Sequence, residues 1–368
     1  MKRKRVAVIF GGRSGEHVVS LRSAVSIIEA IDTELYEIIP VGITREGSWL
    51  TGPDVWQSLW EKRPPAEAVP AVLLTDPSRP GLLVQSDTAA AEWRHQPIDL
   101  AFPVLHGPYG EDGTIQGLFE MAGIPYVGSG VLASSTAMDK VVMKTLFKEH
   151  NLPVAPFIHF NRWQWNGQDE YWRQKIEQEI GFPCFVKPAN LGSSVGIAKV
   201  FSQTGLKAAI NEALLYDDKV VIEEYIEGRE IECAVLGDLE IEASRPGEVI
   251  PSNEFYDYRA KYIDDRSELI VPVELGAEIE NIIKQYSLKA FRAVEASGLA
   301  RVDFFVRPDR GDVIVNEINT MPGFTSISMY SKMWQASDVS YRELVSRLME
   351  FALIRFKRRQ ALLVVPPE

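Results

Sequence analysis

Short apolar runs alternate with amphipathic segments through the first third of the chain. RVAVIF, YEIIPVGI and IDLAFPVLHG are typical of buried strands, while EDGTIQGLFEMAG predicts a helix. VVSLRSAVSIIEAI predicts another helix, because apolar residues recur at helical spacing at Leu21, Ala24, Val25, Ile28 and Ile31. This alternation predicts an α/β layered domain. Residues from about 45 to 97 show weak periodicity and are interpreted as a peripheral insertion.

The middle and the end of the chain mix the same two patterns. SSTAMDKVVMKTLFKEH predicts one lysine-containing helix, and GFPCFVKPANLGSSVGIAKV predicts two strands around a Gly/Ser loop. Further strands follow from about Glu224, together with the helix AEIENIIKQYSLKAFRAVEAS and an arginine-rich helix at the C-terminal end. No internal repeat interrupts this order.

Two apolar runs carry polar residues at a spacing of two. LARVDFFV contains Arg301 and Asp303, and VNEINTMPG contains Glu317 and Asn319. Residues two apart on a strand share a face, and RPDRGD between the runs predicts a turn that pairs them. The runs are too apolar for a sheet edge. Three oxygen-bearing side chains and a guanidinium on one surface indicate a Mg²⁺ site, although each pair alone would be a solvated strand face.

The loop ANLGSSVG is the second candidate for chemistry. Glycine lets backbone N–H groups approach an anion, and Lys187 and Lys140 nearby would supply charge to a polyphosphate. A Gly/Ser hairpin tip alone is usually only a turn. The chain has no GxxxxGK[ST] sequence, which excludes a P-loop. GGRSG follows the first strand, but the second strand lacks the ribose-binding acid of a dinucleotide fold, which disfavours a hydride-transfer enzyme.

Composition limits the class of protein. The chain has 368 residues, 46% of them hydrophobic, enough for two or three domains. A net charge of −12 argues against nucleic acid or an anionic membrane as partner, and no apolar run spans a bilayer. VAVIF after MKRKR is too short for the core of a signal peptide. Cys184 and Cys233 are too few for a disulfide framework, so we expect ordinary buried thiols and a cytoplasmic location.

Taken together, a phosphate loop, lysines and a carboxylate cluster describe an ATP site without a P-loop. The chain resembles the D-alanine–D-alanine ligases of the ATP-grasp superfamily over nearly its whole length. The matching stretches are GGRSGEHVVSL, HGPYGEDGTIQG, MDK, FVKPANLGSSVG, VIEEYIEGREIECAV, FYDYRAKY, GLARVDFF and NEINTMPGFTSIS. Val18, Glu224 and Val315 depart from the family's pattern.

The resemblance implies a three-domain ATP-grasp architecture. Residues 1–128 would form an N-terminal parallel α/β domain that binds substrate. Residues 129–223 and 224–368 would form two α+β domains that clamp ATP, the second with the metal site and a lid loop. A homodimer is expected on the same basis.

The implied reaction is the ATP-dependent ligation of two D-alanines through an acyl phosphate, for peptidoglycan synthesis, cell-wall biogenesis and cell shape. The cofactors would be ATP and two Mg²⁺ ions, or Mn²⁺, on Asp303, Glu317 and Asn319. Arg301 would clamp the transferring phosphoryl group, and the backbone N–H of Gly323 would stabilise an oxyanion.

The resemblance also assigns binding roles. The nucleotide would be held by Lys140, Lys187, Ser193, Ser194, Glu223, Glu224, Ile226, Glu230 and Lys261, with Glu223 on the adenine amino group and Glu230 on the ribose. The amino acids would be held by Glu16, His106, Lys261, Arg301, Ser328 and Met329. Glu16, Ser193 and Tyr262 would form a hydrogen-bonded triad that closes the site. Unassisted, Glu16 would be a helix-start residue and His106 a turn histidine.

Two alternatives stay open at this stage. A sister ligase that makes a D-alanine–D-lactate or D-alanine–D-serine product would share nearly every residue. An ATP-binding regulatory module without turnover would keep the adenine strand and lose the metal ligands, whereas this chain has all three.

Overall fold

A computed structural model describes residues 3–63, 66–86, 92–192, 195–250, 268–307 and 310–363. In these ranges the chain forms three β-sheets, which follow one another along the sequence, with helices packed against them. No helix within these ranges combines the length and the apolar character that a bilayer crossing requires.

The first sheet has seven strands in the order β6-β5-β4-β3-β2-β1-β7. Its strands are β1 (Lys4–Gly11), β2 (Tyr36–Ile43), β3 (Trp49–Thr51), β4 (Val69–Leu73), β5 (Gly81–Gln85), β6 (Trp93–Pro97) and β7 (Leu100–Val104). β1 lies between β2 and β7 and pairs with both in parallel, which confirms the predicted α/β layering. The weakly periodic segment from 45 to 97 forms four antiparallel strands that extend one edge of this sheet.

Three helices accompany this sheet: α1 (His17–Ala30), α2 (Val55–Glu61) and α3 (Thr114–Ala122). The helical spacing read from the sequence is confirmed in α1, where Leu21 and Ala24 are buried. Its most buried stripe also includes Ile27, while Val25 and Ile28 are only half-buried. The helix packs on β1 and β7 with a face rotated slightly from the predicted one.

The second sheet has the order β10-β9-β11-β8. Its strands are β8 (Phe157–Asn161), β9 (Cys184–Pro188), β10 (Ala198–Val200) and β11 (Lys219–Glu224), and the helices of this part are α4 (Val131–Met138), α5 (Lys140–Glu149), α6 (Arg162–Trp165), α7 (Asp169–Glu179) and α8 (Gln203–Ala213). β9 and β10 pair in antiparallel fashion around the Gly/Ser loop, as predicted. The single helix predicted for SSTAMDKVVMKTLFKEH was wrong: the chain breaks at Asp139 into α4 and α5.

The third sheet has the order β15-β14-β12-β16-β17, with β13 paired to β12. Its strands are β12 (Arg229–Gly237), β13 (Ile241–Ala243), β14 (Gly247–Ile250), β15 (Glu268–Ile270), β16 (Gly298–Arg307) and β17 (Asp312–Asn319), and its helices are α9 (Ala277–Ala293), α10 (Met329–Gln335) and α11 (Tyr341–Gln360). The two helices predicted near the C-terminal end are α9 and α11. The predicted domain boundaries at 128/129 and 223/224 stay predictions.

The position of β17 differs from the expectation that its apolar character excludes a sheet edge. β17 is the last strand in the order of this sheet among the described residues. Its outer side is covered by residues 153 and 154: Val315 bridges to Val154, and its N–H donates to the Pro153 carbonyl at 2.8 Å. The strand is therefore apolar because a connecting segment buries its edge.

Candidate active site

The predicted pairing of the two carboxylate strands is confirmed. Arg301 on β16 lies opposite Asn319 on β17, and Asp303 lies opposite Glu317. A register irregularity follows directly after Asp303. Because directly opposed residues project to the same face, all four side chains share one surface of the third sheet.

Charge-assisted hydrogen bonds connect this surface. The Arg301 guanidinium donates through Nε and Nη2 to the two carboxylate oxygens of Asp303, both at 2.7 Å. Its Nε also lies 3.1 Å from Oε2 of Glu232 on the neighbouring strand β12. The Asn319 side-chain nitrogen donates to Oδ2 of Asp303 at 3.0 Å. Burial opposes the charge of Arg301, but Asp303 and Glu232 raise its pKa well above the ordinary value, so the clamp stays cationic.

The donor set on this surface fits a magnesium ion. Two carboxylates and one amide oxygen are hard ligands, and Glu317 and Asn319 line a cavity. Asp303 gives one lone pair per oxygen to Arg301 and keeps further acceptor capacity. Within the described ranges no three His, Cys, Asp or Glu side chains cluster to hold a metal; in the predicted set the third ligand would be the amide oxygen of Asn319.

One cavity of about 360 Å³ is lined by nine of the sequence-predicted candidates. The predicted residues that line it are Glu16, His106, Lys140, Arg301, Glu317, Asn319, Gly323, Ser328 and Met329. They come from all three parts of the chain: the loop before α1, the end of β7, the start of α5, and the β16, β17 and α10 region. The volume suits a small polar substrate.

Glu16 is both the helix-start residue and a wall of this cavity. It occupies the N-cap position of α1, but its side chain makes no capping hydrogen bond there. Its Oε2 lies close to the backbone of Gly107 and Gly192. A β-carbon added to these glycines would lie 2.5 and 3.4 Å from this oxygen. The carboxylate is thereby directed to the loop that follows β9.

His106 is buried and its partners include an acid that the sequence reading missed. Its Nδ1 lies 2.9 Å from the Met321 carbonyl and 3.8 Å from Oε1 of Glu111, which also accepts from the Gly107 N–H at 2.9 Å. Burial lowers the pKa of His106, but Glu111 and Glu16 outweigh it and raise the pKa overall. Glu111 lies in the stretch HGPYGEDGTIQG. The sequence therefore shows an acid here, but it does not show that the side chain turns towards His106.

A buried ion cluster lies beside the cavity. Lys187 on β9 donates to Oε2 of Glu223 on β11 at 2.8 Å, and Nζ of Lys144 on α5 lies 3.4 Å from Oε1 of the same carboxylate. Burial would raise the pKa of Glu223, but the two ammonium groups lower it to about 2. Oε1 accepts no directed hydrogen bond from the part of the chain that the structure describes. Lys144 was not predicted, although it lies one turn from Lys140 on the same helix.

The remaining nucleotide candidates lie on or near this cluster. Lys140 donates to the Leu191 carbonyl at 2.6 Å, in the loop after β9. Glu224 ends β11 and its backbone N–H donates to the Pro156 carbonyl at 3.0 Å. Ile226 is buried and Glu230 is half-buried on β12. Ser193, Ser194, Lys261 and Tyr262 lie outside the described residues.

The Pro-Gly turn after β17 leads into the part of the cavity that Ser328 and Met329 line. Ser328 precedes α10 and its hydroxyl accepts from the Thr325 N–H at 3.0 Å, which closes a tight turn next to Gly323. Met329 is buried at the first position of α10. Elsewhere, both cysteines are buried thiols as predicted, and burial raises the pKa of each to about 11.

Family models divide the chain in the same order. Residues 5–129 match the N-terminal model of the D-ala D-ala ligases, and residues 146–350 match the C-terminal model. The chain belongs to the D-alanine–D-alanine ligase family. It is therefore a ligase enzyme, and the alternative of a regulatory module without turnover is disfavoured.

Full-length relatives of this ligase agree. D-alanine–D-alanine ligases from Heliobacterium modesticaldum and Acetivibrio thermocellus are 47% and 48% identical to it, over 98% and 96% of this chain and 97% of each relative. Two solved structures are also similar. VanG, a D-Ala:D-Ser ligase from Enterococcus faecalis, is 38% identical with a TM-score of 0.85, covering 95% of this chain and 100% of VanG. The D-alanine–D-alanine ligase from Coxiella burnetii is 34% identical with a TM-score of 0.83, covering 98% and 97%. The expected ATP-grasp fold class is confirmed.

Proposed function

We propose that this ligase joins two D-alanines to D-alanyl-D-alanine, with ATP converted to ADP and phosphate, for peptidoglycan precursor synthesis and thus cell-wall biogenesis and cell shape. The observation that carries the proposal is the cavity in which Glu16, from the first part of the chain, converges with Arg301 and Glu317, from the third. A carboxylate to receive an ammonium and a cationic clamp for phosphate are what a carboxylate–amine ligation requires.

In the first step the carboxylate of one D-alanine attacks the terminal phosphorus of ATP, and ADP leaves. Two anions must meet, so positive charge has to surround the transferring group. Arg301, Lys140 and Lys187 supply it from the protein. Mg²⁺ held by Asp303, Glu317 and Asn319 would add further positive charge on the phosphate oxygens, and Mn²⁺ carries the same charge and accepts the same ligands.

In the second step the amine of the other D-alanine attacks the acyl-phosphate carbonyl, loses a proton and displaces phosphate. The backbone N–H of Gly323 donates to the developing oxyanion. Glu16 binds the ammonium of the first D-alanine beside His106, and Ser328, Met329 and Lys261 receive the second. A hydrogen-bonded triad of Glu16, Ser193 and Tyr262 closes the site.

Nucleotide binding follows from the buried cluster. Oε1 of Glu223, which lacks a directed hydrogen bond within the described ranges, accepts from the adenine amino group. Glu224 and Ile226 add backbone contacts, and Glu230 takes the ribose hydroxyls. Ser193, Ser194 and Lys261 complete the contacts to the phosphates. We further propose a homodimer in a reducing cytoplasm, in keeping with the two buried free thiols.

The proposal is tested with the purified chain, ATP, Mg²⁺ and D-alanine. We expect ADP, phosphate and D-alanyl-D-alanine in equal amounts, measured by coupled phosphate release and mass spectrometry. ATP hydrolysis stimulated by D-alanine without any dipeptide would contradict it. L-Alanine serves as the control substrate and should give neither product.

The similarity to a D-Ala:D-Ser ligase supports D-serine as an alternative second substrate to test. The same assay with D-serine or D-lactate added at equal concentration to D-alanine separates the products by mass. We expect the dipeptide of D-alanine to dominate at neutral pH. A dominant D-alanyl-D-serine or D-alanyl-D-lactate product would move the chain to that branch of the family.

A further inference from the structure

Lys144 is a buried cation that the proposed reaction does not use. Its side chain is 2% exposed, at the second turn of α5. Its Nζ donates to the backbone carbonyl of Asn316 on β17 at 2.8 Å and lies 3.4 Å from Oε1 of Glu223 on β11. One ammonium thus connects the strand of the proposed metal ligands to the proposed base acceptor.

The same helix face also reaches the loop after β9. Lys140 lies four residues before Lys144, so both project from one side of α5. Lys140 donates to the Leu191 carbonyl at 2.6 Å. α5 therefore contacts three segments of the nucleotide site through two lysines: the loop after β9, Glu223 and β17.

A lysine side chain that is buried this completely calls for a physical explanation. Burying an ammonium costs several kcal/mol unless it is paired, whereas a methionine would fill similar space without that cost. Burial lowers the pKa of Lys144 below its ordinary value, Glu223 opposes that shift, and Lys187 adds to it. The carboxylate already has one full partner in Lys187 at 2.8 Å. Lys144 is thus more than the minimum needed to neutralise Glu223.

We propose that Lys144 is a positioning residue for nucleotide recognition, which holds Glu223 as an acceptor-only carboxylate and fixes it relative to β17, so that the site selects a 6-amino purine over a 6-oxo purine. This inference rests on the proposed contact between Glu223 and the adenine amino group.

The selectivity follows from hydrogen-bond chemistry. An ionised carboxylate has only acceptor positions, so it pairs with an amino group and repels a carbonyl oxygen. A protonated carboxyl would also donate and would tolerate the 6-oxo group, whereas a rotated carboxylate would lose its contact with the amino group. A second cation on Oε1 opposes both protonation and rotation. The hydrogen bond from Lys144 to the Asn316 carbonyl also fixes the position of Glu223 relative to Glu317, the next residue on β17.

The test compares ATP with inosine triphosphate, which carries a 6-oxo group. Lys144→Met removes the charge and the donor, and Lys144→Gln removes the charge and keeps a donor for Asn316. For both we expect the ratio of kcat/KM for ATP to that for inosine triphosphate to fall by about tenfold or more, the scale of a hydrogen bond to a charged group. The KM for D-alanine should stay within about twofold of the parent value.

Lys148→Met is the matched control, since Lys148 is exposed one turn further along α5. It should leave the ratio unchanged, and thermal unfolding shows which variants are folded. If Lys144→Met does not fold, Lys144→Gln decides. An unchanged ratio in a folded Lys144 variant, or an equal rise in KM for both nucleotides and for D-alanine, overturns the inference.

Glu223→Gln separates this result from the proposed function. The variant can donate to a 6-oxo group, so the ratio should fall, and adding Lys144→Gln should lower it little further because both act through one contact. If Glu223→Gln leaves the ratio unchanged, the proposed adenine contact is wrong. If Glu223→Gln lowers the ratio and the Lys144 variants do not, only the role of Lys144 is wrong.

Discussion

Gly107 shows how a backbone position controls the direction of a side chain in the site. It has φ of 74°, a left-handed conformation that favours glycine, and a β-carbon here would approach Oε2 of Glu16 to 2.5 Å. Glu16 would have to turn away from the cavity wall. Gly107 thus fixes where the proposed ammonium-binding carboxylate lies.

The first prediction compares two alanine substitutions at left-handed glycines. Gly107→Ala should lose about 100-fold in kcat/KM for D-alanine, since small displacements of a binding group have effects of that size. Gly167→Ala is the control, because Gly167 has φ of 83° and nothing within 4 Å of an added β-carbon. Both should lose about 1 kcal/mol of stability from the backbone. Equal activity of the two variants would show that the Glu16 contact is unimportant.

The second prediction concerns the metal ligands. Glu317→Gln removes one charged ligand and should lower kcat by about 100-fold, equivalent to about 3 kcal/mol of lost charge stabilisation, while raising the Mg²⁺ concentration needed for half-maximal rate. The measurement is a Mg²⁺ titration of the rate. Asp312→Asn, at the other end of β17, should leave the titration unchanged. Near-normal turnover of Glu317→Gln at saturating Mg²⁺ would mean that the cluster is a solvated strand face.

At the scale of residues, the sequence was enough to predict the paired residues on the two carboxylate strands, but not the contacts of Lys144 and Glu111. Spacing of two on apolar runs was enough to place Arg301 and Asp303 beside Glu317 and Asn319, because strand geometry fixes the face. Glu111 was missed although its partners Gly107 and His106 lie only four and five residues away, because the irregular loop that directs its side chain has no regular period. Lys144 was missed because its importance depends on partners far along the chain, which local spacing does not identify. Glu223 is 79 residues from Lys144, a separation far longer than any helical or strand period.

At the scale of elements, the break between α4 and α5 has a local cause. Asp139 adopts an extended conformation, with φ of −84° and ψ of 103°, and its Oδ1 accepts from the N–H groups of Val141 and Val142 at 3.0 and 3.1 Å. Aspartate competes well for helix-start positions, so the continuous apolar pattern was a poorer guide than the single capping residue. The break lets α5 begin with Lys140 at the cavity.

The third prediction uses the charge of this cap. Asp139 also forms an ion pair with Lys219. Burial would raise the pKa of Asp139, but Lys219 and the two backbone N–H groups lower it. A depressed carboxylate pKa contributes stability that is fully present above the unfolded-state value of about 3.9 and is lost as the pH falls through the folded-state value. Asp139→Asn keeps the cap and removes the charge.

We therefore expect Asp139→Asn to unfold at a lower temperature than the parent at pH 7, with a deficit of about 1 kcal/mol. The deficit should begin to close as the pH falls below about 4, where the unfolded parent chain binds a proton, and should vanish once the pH is below the lower folded-state pKa of Asp139. Thermal unfolding of both proteins from pH 7 to pH 3 measures it. A deficit independent of pH would assign the effect to capping geometry.

At the scale of the whole molecule, the C-terminal helix α11 connects distant parts of the chain. Arg355 on this helix donates to the carbonyls of Tyr126 and Gly128 and to the hydroxyl of Ser297, and its guanidinium lies 4.7 Å from the Tyr126 ring centre. Ser129 and Ser297 exchange hydrogen bonds of 3.2 Å next to it. The segment that leaves the first sheet is thus held to the start of β16 by the Arg355 guanidinium and by the hydroxyl of Ser129.

The last prediction tests whether that contact stabilises the assembled fold. Arg355→Met keeps much of the side-chain volume but leaves three acceptors without their donor, in a site where burial already lowers the pKa of the guanidinium. We expect a loss of about 2–3 kcal/mol in the free energy of unfolding, since buried acceptors that lose a charged donor cost that much. Arg359→Met, one turn later, removes only an ion pair between the exposed Arg359 side chain and the half-buried Glu120, and should cost at most about 1 kcal/mol. Chemical denaturation measures both.

Since Arg355 lies outside the catalytic cavity, the folded variant should keep a near-parental KM for ATP. Equal stability of the two variants would mean that packing of the apolar face of α11 holds these segments together without the arginine.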